Sequence, residues 1–153
     1  MGSKWIYKVG LAAITDGRLL VARKRNSEIF ILPGGKPEGD ESDLETLQRE
    51  IDEELGCSIE KPFFQGVFKD VAAGDTGAIV VVRLYSADLV GEPRPCSEIV
   101  ELAWIELSGP KELPLAPSIT NGILPYLRKR MRSGAGGAVQ PANELVQGLL
   151  ELV

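Results

Sequence analysis

The chain alternates between apolar and polar blocks, and the spacing inside each block predicts its form. Residues 5–14 hold Ile6, Val9, Leu11 and Ile14 with one lysine among them, and read as a strand. Asp16-Gly17 follows, a dipeptide suited to a two-residue hairpin turn, and residues 18–25 read as the return strand. Residues 29–32 predict a short third strand, broken by Pro33-Gly34-Gly35, and 36–40 predict a loop. Residues 63–71 predict a strand and 72–76 a turn. Residues 78–89 contain Ile-Val-Val-Val-Arg-Leu-Tyr, a buried strand, and 91–95 a Pro-rich loop. Residues 101–107 predict a last strand centred on Trp104, whose ring is expected in the core.

Between the third and fourth strands the period changes. Leu44, Leu47, Ile51 and Leu55 recur at helical spacing and predict the buried stripe of a helix. Ser42-Asp43-Leu44-Glu45 is a capping box at its start, and Gly56 is suited to end it. Residues 119–132 predict a second helix, in which Pro125 requires a late start or a kink. Residues 133–138 read as a Gly-rich linker and 143–152 as a short terminal helix. Its Leu145/Leu149/Leu150 stripe is expected to dock on the body or on a second subunit, making a homodimer. The order of elements predicts one α/β domain over residues 1–153, a mixed sheet with helices on its faces.

Composition narrows the partners. A net charge of −5 argues against a nucleic-acid polymer, whose phosphates need a basic surface. It leaves room for a small phosphorylated ligand, because a bound cation reverses the local sign. With no histidine and only Cys57 and Cys96, the usual zinc and haem sites lack ligands. No apolar run approaches the ~20 residues of a membrane span, no signal-peptide core precedes residue 6, and two reduced thiols fit a cytoplasmic location.

The chemistry concentrates on the first helix. Glu50, Glu53 and Glu54 stand at i, i+3 and i+4 and project from one face. That face lies about 110° around the helix from the apolar stripe, at the edge of the core. Two carboxylates ~6 Å apart repel by roughly 3 kcal/mol at an effective dielectric of 20. A divalent cation removes that cost, and hard oxygen donors suit Mg²⁺ or Mn²⁺. Taken alone, the three glutamates read more simply as a solvated acidic face.

The string around them decides between these readings. Gly35, Glu41, Arg49, Glu50, Glu53, Glu54 and Gly56 match without a gap the pattern G-x5-E-x7-R-E-U-x-E-E-x-G-U, where U is a bulky aliphatic. A chance match of all seven fixed positions has odds of about one in a million. This stretch resembles the Nudix box; Cys57 at the last U position is the one departure, and cysteine serves there as a small hydrophobe. The flanks, residues 112–117 included, resemble small bacterial MutT-like proteins.

The resemblance implies an α/β/α sandwich that hydrolyses nucleoside diphosphates linked to another moiety. It implies Glu50, Glu53 and Glu54 as metal ligands, with the carbonyl of Gly35 facing the same ion. Arg49 and Glu41 are implied as a supporting ion pair, and Gly34 and Gly35 as a tight backbone turn beside the site. The metal would neutralise phosphate oxygens and lower the pKa of an attacking water. The general base stays open between Glu53 in the box and Glu98 or Glu101 in the loop before Trp104.

Alternation places Arg23 and Arg25 on one face, where one could meet a substrate phosphate, although a solvated face is the simpler expectation. Trp5, Tyr7, Phe68 and Tyr85 could stack on a base, but each is better read as core. Marks that resemble the ADP-ribose, diadenosine polyphosphate and coenzyme A subclasses are missing around the box. A MutT-like nucleoside triphosphate pyrophosphohydrolase is therefore the leading expectation. An ADP-ribose or nucleotide-sugar pyrophosphatase is the alternative, and a nucleotide-binding domain without catalysis the third.

Overall fold

The computed structural model describes residues 4–74, 77–110 and 112–132. The linker at 133–138, the terminal helix at 143–152 and its leucine stripe lie outside these residues. The described chain runs β1 (Lys4–Ala12), β2 (Ile14–Thr15), β3 (Arg18–Lys24), β4 (Phe30–Ile31), β5 (Gly34–Gly35), α1 (Asp43–Leu55), β6 (Ser58–Val71), β7 (Ala78–Val90), β8 (Ile99–Glu106), a π-helical turn (Ile119–Ile123) and α2 (Leu124–Arg132).

One sheet has the order β5-β1-β7-β6 and is mixed: β1 runs parallel to β7, and the other pairs are antiparallel. In the second sheet β3 takes β2 and β4 along one edge and β8 along the other, all antiparallel. The expected mixed α/β architecture is present. Alternation along β1 divides the core. Val9 and Leu11 meet Leu47, Ile51 and Leu55 of α1 in one apolar cluster. Ala12, from the opposite face, joins Val82, Leu84, Ile119, Ile123 and Leu127 in the other. Helices thus cover the first sheet from both sides.

The capping box of α1 is formed. Ser42 Oγ accepts from Glu45 N, and Glu45 Oε1 accepts from Ser42 N. Gly56 ends the helix in the left-handed region at φ 66°, its N–H donating to Asp52 O. Pro125 falls in the first turn of α2, just past the π-helical turn, where its missing N–H costs little. Among the described residues no helix is long and apolar enough to cross a membrane.

Several expectations need correction. Leu44 is 40% exposed: it sits in the first turn of α1, and Leu47, Ile51 and Leu55 alone carry the buried stripe. Trp5 and Tyr7 are exposed, because they stand on the α1-facing side of β1 ahead of the point where the helix covers it. Trp5 instead carries the ammonium of Lys69 over its ring at 5.5 Å. Trp104 is 39% exposed on the edge strand β8, where Ile99 and Ile105 make the core contact. Gly34-Gly35, expected to break a strand, pairs with Gly10 and Val9 as β5. Strand β6 starts at Ser58, and β8 starts at Ile99, so Glu101 is a strand residue and only Glu98 lies in the preceding loop.

Candidate active site

The site begins with the glycine turn. Gly34 has φ 141°, and a Cβ there would lie 2.0 Å from the carbonyl oxygen of Val9. This close approach lets β5 pair with β1 and turns the Gly34 N–H toward α1, where it donates to Glu54 Oε1 at 2.9 Å. A Cβ on Gly35 would stand 2.5 Å from the carboxyl carbon of Glu50. The two glycines leave the space into which the helix carboxylates fit.

Glu54 is 7% exposed. Burial pushes its carboxyl up to about 7, against the pull of the Gly34 N–H, and neighbouring Glu50 adds to the rise. Glu50 is largely covered and accepts from Arg49 Nη1 at 2.7 Å, whereas Glu53 is half exposed with Arg49 Nη1 at 3.5 Å.

A second tier holds this arrangement. Arg49 grips Glu41 with two hydrogen bonds, Nε to Oε2 at 2.7 Å and Nη2 to Oε1 at 2.9 Å. Its Nη2 also reaches Lys36 O at 3.0 Å. Glu41 further accepts from Glu38 N at 2.8 Å and Thr46 Oγ1 at 3.2 Å. The Arg49 bonds, then the Glu38 N–H, hold the Glu41 carboxyl down at about 2. The loop from Lys36 to Glu41 is thereby tied to the helix that carries the three glutamates.

Glu50, Glu53, Glu54 and Gly35 all line a cavity of about 950 Å³, within the range of small-ligand sites. Its floor is apolar, with Ile6, Val80 and Val82 from the first sheet and Ile119 and Ile123 from the π-helical turn. Arg25 and Glu98 also line it, and the Glu98 carboxylate is 3.9 Å from Lys24 Nζ. Arg23 and Glu101 are not among the lining residues: they pair with each other across β3 and β8 at 2.8 Å. A register shift between Arg23 and Lys24 interrupts the regular alternation that would have put Arg23 and Arg25 on one face.

Sequence reasoning missed Lys8, Lys24 and Lys36, which line the same cavity. Lys8 carried a signal, as the one charged residue inside an otherwise apolar or aromatic run, Trp5 to Ala13. Burial lowers its ammonium pKa, with Lys24 and Lys36 contributing.

Among the described residues no three carboxylates or thiols converge on a common point, because Glu50 turns to Arg49 and Glu54 to Gly34. The donor chemistry nevertheless fits a hard divalent cation. Three carboxylates share one side of a cavity, and the buried one is held by a single N–H donor with no cationic partner within 4.0 Å.

A mixed α/β sandwich that offers a carboxylate-bearing helix to an apolar-floored cavity lined by both carboxylates and lysines is the frame of a phosphate-handling hydrolase domain. The chain belongs to the NUDIX domain family, whose profile matches residues 6–126. It is 32% identical over 103 residues to a MutT-like protein of Streptomyces ambofaciens; the match spans 65% of this chain and 64% of that protein's length. Among solved structures, a MutT NUDIX hydrolase from Burkholderia pseudomallei is 30% identical, with 72% of this chain and 90% of that one covered and a TM-score of 0.62. The ORF135 protein of E. coli is 26% identical, with 89% and 96% covered and a TM-score of 0.65.

Proposed function

We propose that this protein hydrolyses a phosphoric anhydride bond of a small nucleotide, with Mg²⁺ or Mn²⁺ held by Glu50, Glu53, Glu54 and the carbonyl of Gly35. The observation that carries this reading is the buried Glu54 carboxylate, beside Glu50 and Glu53 on the wall of a cavity of about 950 Å³. A carboxylate kept there at a cost in burial is better explained by use than by folding. When bound, the metal supplies charge neutralisation for the phosphates and a more acidic water.

The chain's own residues divide the remaining work. Arg49 and Glu41 orient the loop against the helix. Glu53 or Glu98, both exposed carboxylates in the cavity lining, takes the proton of the attacking water. Glu101 is a weaker candidate, since Arg23 holds it outside that lining. The apolar floor receives the non-phosphate part of the substrate. The relatives are named as MutT proteins, in line with the MutT-like resemblance of the sequence, and on that resemblance the substrate is a (deoxy)nucleoside triphosphate. The free thiols of Cys57 and Cys96 support a cytoplasmic setting.

The test is a panel of nucleoside triphosphates, oxidised deoxynucleoside triphosphates, ADP-ribose, nucleotide sugars and dinucleotides, each with Mg²⁺ and with EDTA. Metal-dependent release of pyrophosphate from a triphosphate is expected. Turnover of nucleotide sugars or ADP-ribose alone would overturn the substrate assignment, and no turnover of any member would overturn the hydrolase reading.

A further inference from the structure

Lys8 is an uncommon residue for its place. It lies mid-strand in β1, paired with Val82 of β7, and its side chain points to the cavity face between Ile6 and Gly10. The next two residues, Val9 and Gly10, pair with Gly35 and Gly34, so Lys8 stands beside the turn that holds Glu54. It is half-buried, yet among the described residues it has no carboxylate within 4.0 Å and no hydrogen-bond acceptor. A half-buried ammonium without a partner costs stability and is kept where a ligand supplies the partner.

Four neighbours define that ligand. Val82 and Ile6 offer only apolar contact, and Glu50 and Glu54 lie close enough to act on the Lys8 charge. A plain cation would be repelled by the ammonium, and a plain anion by the glutamates. A phosphorylated group that brings its own divalent cation satisfies both sides: metal toward the glutamates, phosphate oxygens toward the lysine.

We infer that Lys8 is a positioning residue that grips a phosphate oxygen of the substrate at the boundary between the carboxylate wall and the apolar floor, a role outside the Gly35–Cys57 box. This rests on the hydrolase reading above. Two variants test it, Lys8→Met and Lys8→Arg, with α,β-methylene-ADP as the probe in binding titrations with Mg²⁺. Loss of the charge-assisted contact is expected to weaken binding about tenfold to a hundredfold in Lys8→Met, with partial recovery in Lys8→Arg. In turnover the loss is expected in KM more than in kcat. Without ligand, Lys8→Met is expected to melt no lower than the wild type, since it removes an unpaired charge.

Equal probe affinity of wild type and Lys8→Met, or no binding to either, overturns the inference. So does a lower melting temperature of ligand-free Lys8→Met with unchanged affinity, which would make the lysine a scaffold for Glu54. Failure of the hydrolase reading is separate: it is read from turnover of the panel by the wild type, whatever the binding titration gives.

Discussion

The backbone N–H of Gly34 and the carboxylate of Glu54 meet at 2.9 Å, and this bond joins the strand side of the site to its helix side. It sets one carboxylate oxygen against β5 and leaves the rest of the group to the cavity. The bond depends on the absence of a side chain at Gly34, whose Cβ would collide with Val9 O.

Glu54→Gln is expected to remove most turnover while leaving the fold intact. Burial raises the folded-state pKa of Glu54 from 4.5 to about 7. Its stabilising contribution is therefore full below 4.5 and lost as pH rises through 7, a change on the order of 3 kcal/mol. Metal-free melts at pH 5 and pH 8 check this: the wild type loses stability between them through this group, and the variant does not. A variant with near-wild-type turnover would refute the catalytic assignment.

Arg49→Lys keeps the charge but loses the two-pronged grip on Glu41 and the bond to Lys36 O. Turnover is expected to fall about tenfold to a hundredfold, the usual cost of losing a group that orients ligands. Metal titrations followed by activity are the measurement, and unchanged half-saturation with unchanged rate would show the grip to be dispensable.

The paired glycines separate stability from activity. Gly34→Ala places a methyl group on Val9 O and opposes φ 141°, so a stability loss of about 3 kcal/mol or more is expected in urea unfolding. Gly35→Ala meets only the movable end of Glu50. It is expected to cost activity with a small change in unfolding midpoint. The reverse ranking of the two variants would count against the packing described for β5.

Tyr85 donates to Asp43 Oδ2 at 2.7 Å, alongside Arg83 Nε. Burial, then this bond to Asp43, pushes the phenol from 10 up to about 12. Its contribution is present below pH 10 and lost as pH rises through 12. Tyr85→Phe is expected to cost about 1 kcal/mol at pH 8, and the gap to the wild type should close near pH 12. A gap that stays constant with pH would locate the effect in packing instead.

Much of the frame could be read from local spacing. The capping box, the Gly56 stop and the 3.6-residue period all act within a turn or two of chain, so α1 was predicted at both ends. Where tertiary context decides, reading failed. Lys61 at positive φ and Pro62 interrupt the alternation of β6, and the register shifts there, so residues 58–62 did not look like strand. Exposure of Leu44, Trp5, Tyr7 and Trp104 depends on where a covering layer stops, which no periodicity records. Lys8 and Arg25 share a cavity because two sheets meet there, while the bulge after Arg23 sends that residue to Glu101. The box names the glutamates but not the cations that face them.

The floor of the cavity belongs to β1, β7 and the π-helical turn, whereas Glu50, Glu53 and Glu54 ride on α1, to which Arg49 ties the loop from Lys36 to Glu41. On the proposed function, chemistry and passenger recognition are therefore carried by different elements. Exchanging Ile6, Val80, Val82 or Ile119 for larger or more polar residues can change which molecule is admitted, generation by generation, without disturbing the machinery that cuts it.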